Sequence, residues 1–262
     1  MARRILCITV VVIVFVLVCT KSVAQAPAQP RSETVRIQVA PGMTIAQLES
    51  KGDELRRQKA YAESLVYYRE ALKKNANNPI LWNKAGMAEL QLGRLSQAQK
   101  DFERAIKRDR DYAEAYNNLG VIAYMRKSYK KAIQHYQKAL TLREESASFH
   151  SNLGATYFAR NQMEQAVAEY SRAMELDPEI LIRSSAGGVA AQIASPEARA
   201  QYWYLLAKMY AKRGDCERCV HCLRKAQEEG YPRLQDVKKD PEFATVREDP
   251  RIAELVAGKA QR

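Results

Sequence analysis

Within seven residues the chain places Cys216, Cys219, His221 and Cys222, the side chains best suited to nucleophilic, redox or metal chemistry. Two overlapping C-x-x-C pairs stand at the start of a predicted helix. A helix N-terminus lowers a thiol pKa, and the Cys216–Cys219 spacing resembles that of redox pairs. Three chemistries stay open: a redox switch, one disulfide with a thiol left over, or a metal site. A fourth reading needs no chemistry, because cysteine also packs as a small hydrophobe. Neither pair is followed directly by histidine, which excludes a c-type haem. Other catalytic signatures are missing. His135, His150 and His221 lie far apart, and there is no His-Glu-x-x-His, no Gly-x-Ser-x-Gly and no glycine-rich phosphate loop. The expectation is a non-enzyme without cofactor or metal.

The elements that must position these residues repeat with a fixed period. Gly52, Gly86, Gly120 and Gly154 are each 34 residues apart, as are Ala71, Ala105, Ala139 and Ala173. Tyr68, Phe102, Tyr136 and Tyr170 follow in the same phase. One period shared by three columns means stacked supersecondary units. The pattern closely resembles the tetratricopeptide repeat, with Tyr116, Leu119, Gly120, Ala132, Tyr136 and Ala139 in one unit and His150, Leu153, Gly154, Tyr157, Ala166, Tyr170, Ala173 and Pro178 in the next. The resemblance implies an all-α, right-handed superhelical solenoid of antiparallel helix pairs. Four units are expected at 45–78, 79–112, 113–146 and 147–180. A fifth, out of phase, covers 200–233 with Trp203, Leu206, Tyr210, Cys219, Leu223 and Ala226. Gly93, Asn161 and Gly214 stand where a first helix ends in a left-handed residue. Residues 181–199 read as an inter-repeat loop. Residues 234–262 read as a helical C-terminal cap, with Asp240-Pro241 and Asp249-Pro250 as helix starts. The three cysteines fall in columns that normally hold small apolar or aromatic residues.

The same resemblance implies a concave groove lined by the first helix of each unit. It assigns to that groove Asn83, Met87 and Leu90, then Asn117, Asn118, Val121, Tyr124 and Met125, then Asn152 and Phe158, and finally Tyr204 and Lys208. Asn118 and Asn152 share a column. Related superhelices, such as that of O-linked N-acetylglucosamine transferase, hold a peptide backbone with an asparagine ladder of this kind; such residues also tie neighbouring helices together. Met87 and Val121 occupy positions where a chaperone-type carboxylate clamp needs other residues, so capture of that sort is not expected. The function expected is non-catalytic binding of a protein or extended peptide, as a scaffold or assembly factor. The competing readings are a thiol-dependent protein centred on Cys216–Cys222 and a passive spacer.

Composition places the chain. It is 47% hydrophobic and 27% charged with a net charge of +12, enough apolar content for a packed core and enough positive charge to raise nucleic acid or anionic membrane as partners. Part of that charge is removable. Arg3 and Arg4, the apolar run Ile5–Cys19 and the Ser22-Val23-Ala24 ending read as a signal peptide over 1–24. The run is shorter than the roughly 20 residues of a spanning helix, although a membrane anchor through 5–19 is the alternative. Cleavage takes away Arg3, Arg4, Lys21, Cys7 and Cys19, leaving three cysteines and a net +9. Residues 25–44 read as a flexible tether. Export to a periplasm or the outside, with a bacterial envelope favoured, takes nucleic acid out of reach. The basic run Lys100, Arg104, Lys107, Arg108 and Arg110 then reads as a solvated convex face with at most weak contact to an anionic envelope surface.

Overall fold

A computed structural model describes residues 38–187, 193 and 195–257. The expected leader 1–24, and the tether up to residue 37, lie outside the described residues. Ten helices pair into five hairpins: α1 (Ile45–Arg57) with α2 (Tyr61–Lys74), α3 (Pro79–Gln91) with α4 (Leu95–Arg108), α5 (Ala113–Met125) with α6 (Tyr129–Leu142), α7 (Ala147–Ala159) with α8 (Met163–Leu176), and α10 (Pro196–Lys212) with α11 (Cys216–Glu228). Each second helix packs in turn on the next first helix through α7. The described residues contain no strand, and no helix among them is long and apolar enough to cross a membrane.

The repeating columns explain why the hairpins close so tightly. A Cβ built on Gly120 would sit 2.5 Å from the Tyr136 ring, and one on Gly86 2.6 Å from Phe102. The bare backbone of the first helix is therefore the surface against which the second helix lays its aromatic ring. All four rings, Tyr68, Phe102, Tyr136 and Tyr170, are fully buried, each contributing on the order of 2–3 kcal/mol. The first helix ends in a left-handed residue at Gly93, Asn161 and Gly214, and also at Lys59 and Lys127. Between the first two units an ionic network adds to the apolar packing. Buried Asp101 and Glu89 both bind Arg69, with Arg104 and Arg94 on their outer sides. Arg69 and Arg104 also lie over the Trp82 ring, 5.7 and 4.8 Å from its centre.

One departure from the sequence expectation shapes the C-terminal half. The stretch read as a loop over 181–199 contains a helix, α9 (Ile180–Gly187), packed on α7 and α8 with Leu181 fully buried. In the same stretch Ser195 caps α10 by accepting from the Ala198 amide, so that helix starts at Pro196. Sequence periodicity misses α9 because eight residues hold barely two turns. The tail packs on the last hairpin. Short 3-10 turns at Leu234–Lys238 and Pro241–Phe243 lead to α12 (Pro250–Val256), with Asp240 and Asp249 capping the starts at Pro241 and Pro250. Phe243, fully buried, packs against Tyr204 of α10 with ring centres 5.7 Å apart, and α12 lies on α11.

Candidate functional site

The first helices α3, α5 and α7 stand side by side, and their asparagines join. Asn118 Nδ2 donates to Asn83 Oδ1 at 2.9 Å, and Asn152 Nδ2 donates to Asn117 Oδ1 at 2.9 Å. Asn117 Nδ2 links the two pairs through Asn118 Oδ1 at 3.4 Å. At the far end Asn83 Nδ2 approaches Met87 Sδ at 3.7 Å. A file of four amides thus crosses three repeats. Each inter-repeat bond spans 35 residues, one repeat plus one residue, so each donor reaches the neighbouring column of the unit before it. The sequence pairs Asn118 with Asn152 as one column; the structure shows each bonded instead to the column of Asn83 and Asn117. An amide has two N–H groups and two acceptor lone pairs. The bonds above use one donor and one acceptor each on Asn117 and Asn118, and both residues remain half-exposed.

Met87, Leu90 and Val121 are half-buried beside the file. Tyr124, Met125 and Phe158 gather at the turn ends of α5 and α7, where they line a cavity of about 440 Å³ with Tyr129, Met163 and Ile193. The last three escape sequence analysis because they sit at second-helix starts and in the out-of-phase segment; the break in phase is the only sequence signal for them.

The first helices carry ion pairs at both ends of the array. At the first unit Lys84 Nζ bridges Glu49 and Asp53, each at 2.6 Å, and the Tyr68 hydroxyl donates to Asp53 at 2.8 Å. At the fifth, Tyr204 and Lys208 do not extend the groove as expected. Tyr204 is stacked on Tyr231 at 4.2 Å and only 7% exposed, while Lys208 Nζ pairs with Asp240 at 3.0 Å and Glu242 at 3.4 Å. The tail occupies the surface these two residues would have offered.

The cysteines face a different environment from the one a helix N-terminus alone provides. All three are free thiols. Cys219 and Cys222 are fully buried. Burial pushes Cys219 up to about 12 and raises Cys222 well above the usual thiol range. Cys216, partly exposed, donates through Sγ to Asp249 Oδ2 at 3.0 Å, and Arg251 holds the same carboxylate at 2.8 Å. Burial and the Asp249 charge both raise the Cys216 pKa. His221 lies edge-on to Trp203 with ring centres 5.9 Å apart. Among the described residues no group of three His, Cys, Asp or Glu side chains could hold a metal ion. This cluster fixes α12 to α11 and keeps its sulfurs protonated, the opposite of an activated nucleophile.

Models of the tetratricopeptide repeat match residues 83–147, 123–187 and 200–229. Among solved structures the chain is similar to TTC0263, a thermophilic tetratricopeptide-repeat protein of Thermus thermophilus, at 19% identity and a TM-score of 0.51 over 82% of this chain and all of that one. It is similar to MamA at 21% identity and a TM-score of 0.46, over 69% of this chain and 94% of that chain. For YrrB, described as a tetratricopeptide-repeat protein with an unusual peptide-binding site, the values are 17% and 0.45, over 74% and 91%. These likenesses concern the fold. No curated protein matches the chain.

Proposed function

From the premise that this chain is a tetratricopeptide-repeat protein, we propose that it is a non-catalytic scaffold that binds an extended segment of a partner protein along the face of α3, α5 and α7. Tetratricopeptide repeats are commonly protein- or peptide-binding scaffolds. The observation that carries the reading here is the file Asn83–Asn118–Asn117–Asn152. Its amides are held in place by one another, Asn83 and Asn152 buried as the anchors and the partly exposed Asn117 and Asn118 keeping spare donors and acceptors. An extended backbone offers alternating N–H and C=O groups at about 3.3 Å per residue, which such a file can meet regardless of the partner's side chains. The apolar flank of Met87, Leu90 and Val121 adds contact area without demanding one shape.

The test places a photoreactive amino acid at Val121 in the native cell and identifies what it captures. The reading expects a discrete protein captured through an unstructured segment, with capture reduced about tenfold by Asn118→Ala, on the order of one good hydrogen bond. Capture indifferent to Asn118→Ala and Asn117→Ala removes the file from the mechanism and favours the passive spacer.

The site of action proposed is the cell envelope, after export directed by residues 1–24. The support is the basic start, short apolar run and Ser22-Val23-Ala24 ending. Mass spectrometry of the N-terminus tests it: a chain beginning at Gln25 is expected, and a retained Met1 with cytosolic recovery overturns it.

A further inference from the structure

We propose that the cavity at the turn ends of α5 and α7 seats one large apolar side chain of the bound segment, and that acidic residues flank that side chain. This rests on the groove being a peptide site and names the chemistry of the peptide.

The cavity stands at the C-terminal ends of α5 and α7, about two turns along the same helices from the amide file. Its walls are Tyr124, Tyr129, Phe158 and Ile193, with the two tyrosine rings 5.4 Å apart. Met125 and Met163 stand at its rim, 36% and 37% exposed, among the most exposed large apolar side chains described. Exposed thioethers around an aromatic-walled hollow form an adaptable apolar receptor, and about 440 Å³ lies within the range of ligand pockets. Ile193, Ser195, Ala198 and Gln201 complete it. Ile193 and the start of α10 therefore build this wall.

The surroundings supply the charge preference. Lys127 borders the cavity and also a neighbouring depression of about 360 Å³ formed with Ser128, Lys130, Lys131 and Arg160. Among the described residues none of these four cations is in a salt bridge, and Lys127, Lys130, Lys131 and Arg160 converge on one depression. The first turn of α6 contains no acidic residue to offset Lys130 and Lys131. An unneutralised cationic margin beside an apolar hollow favours a ligand that is apolar at one point and anionic next to it. The chain's own segments outside the described structure are poor occupants. Arg31 and Arg36 outweigh Glu33 in the part of one end that the expected cleavage leaves, and Lys259 and Arg262 stand alone at the other. The apolar hollow distinguishes a protein ligand from nucleic acid, which calls for a basic track with stacking faces laid along it.

The experiment is fluorescence anisotropy on the full chain with three short labelled peptides and a labelled oligothymidine. One peptide has Phe between runs of Glu, one has Phe between runs of Lys, and one has Ala between runs of Glu. The Phe–Glu peptide is expected to bind at least about tenfold tighter than the other two, roughly 1.4 kcal/mol. Met125→Asp should erase its advantage over the Ala–Glu peptide. The double change Lys130→Glu with Lys131→Glu should reverse the preference toward the Phe–Lys peptide. These residues are exposed, and unchanged circular dichroism checks the fold. Equal affinity for the three peptides, tighter binding of oligothymidine, or a Phe–Glu affinity unmoved by both variants overturns the proposal. Asn118→Ala separates the two readings. Binding lost with Asn118→Ala but not with Met125→Asp leaves the groove standing and the seat wrong. Binding lost only with Met125→Asp leaves the seat standing without the amide file.

Discussion

At the residue scale, the clearest lesson is how little room the recurring columns leave. Gly120 faces Tyr136 at a distance no methyl group tolerates. Gly120→Ala is expected to destabilise the chain by about 1–3 kcal/mol, the range for overpacking a filled core; denaturant unfolding with an unchanged slope checks it. The column was readable because glycine and aromatic recur together at one period. The thiols were less readable. The sequence shows their spacing but not Asp249, which lies 33 residues from Cys216 and fixes the sulfur as a hydrogen-bond donor. Cys219 makes a pH prediction. Its thiol titrates near 9 when exposed and near 12 in the fold. The neutral form is therefore favoured by folding. That stability is fully present below pH 9 and is lost as pH rises from there toward 12. Urea midpoints for the native chain and for Cys219→Ala should converge over that window, and parallel curves would contradict the assignment.

At the element scale, the hairpin turn is governed by one left-handed position. Gly93, Gly214 and Asn161 were legible there because those residue types prefer the conformation; Lys59 and Lys127 were not, because the fold imposes it on a residue that resists it. A left-handed non-glycine residue costs about 1 kcal/mol. Lys59→Gly should therefore raise stability by about 0.5–1 kcal/mol, read as a higher melting temperature, and a lowered one would mean the lysine side chain does something there beyond sitting at the turn. α9 illustrates the opposite failure. Ser195-Pro196 announces the start of α10 in the sequence, but nothing in 180–187 carries a period long enough to separate a short helix from a loop.

At the scale of the whole molecule, the core is uneven. One continuous cluster runs from Ala123 to Val256, joining α5 through α8, α10, α11 and the tail, whereas the first units hold smaller separate clusters around Tyr68 and Phe102. In a stack each unit leans only on its neighbours, so amide exchange should be slowest in α7, α10 and α11 and fastest in α1. Phe243 is the tail's main anchor in this cluster. Phe243→Ala should cost about 3–5 kcal/mol and free the Tyr204 face, detectable as faster exchange in α10 and a changed tyrosine environment; exchange altered in α12 alone would contradict that anchoring. The stack was legible from periodicity. The path of the tail was not, because its Asp-Pro starts mark where short helices begin and say nothing about which surface Phe243 will reach.

The amide file has a further consequence for how such an array could grow. Within residues 113–146, Asn118 donates to the preceding unit and Asn117 accepts from the following one. That single unit therefore carries both halves of the junction. A tandem duplicate of 113–146 inserted after residue 146 brings its own matching pair: the new donor meets the old acceptor, and Asn152 meets the new one. The ends carry the ion pairs of Lys84 and Lys208, so lengthening from within is the route that leaves both intact. The protein thus behaves as an extensible template whose central module is compatible with itself.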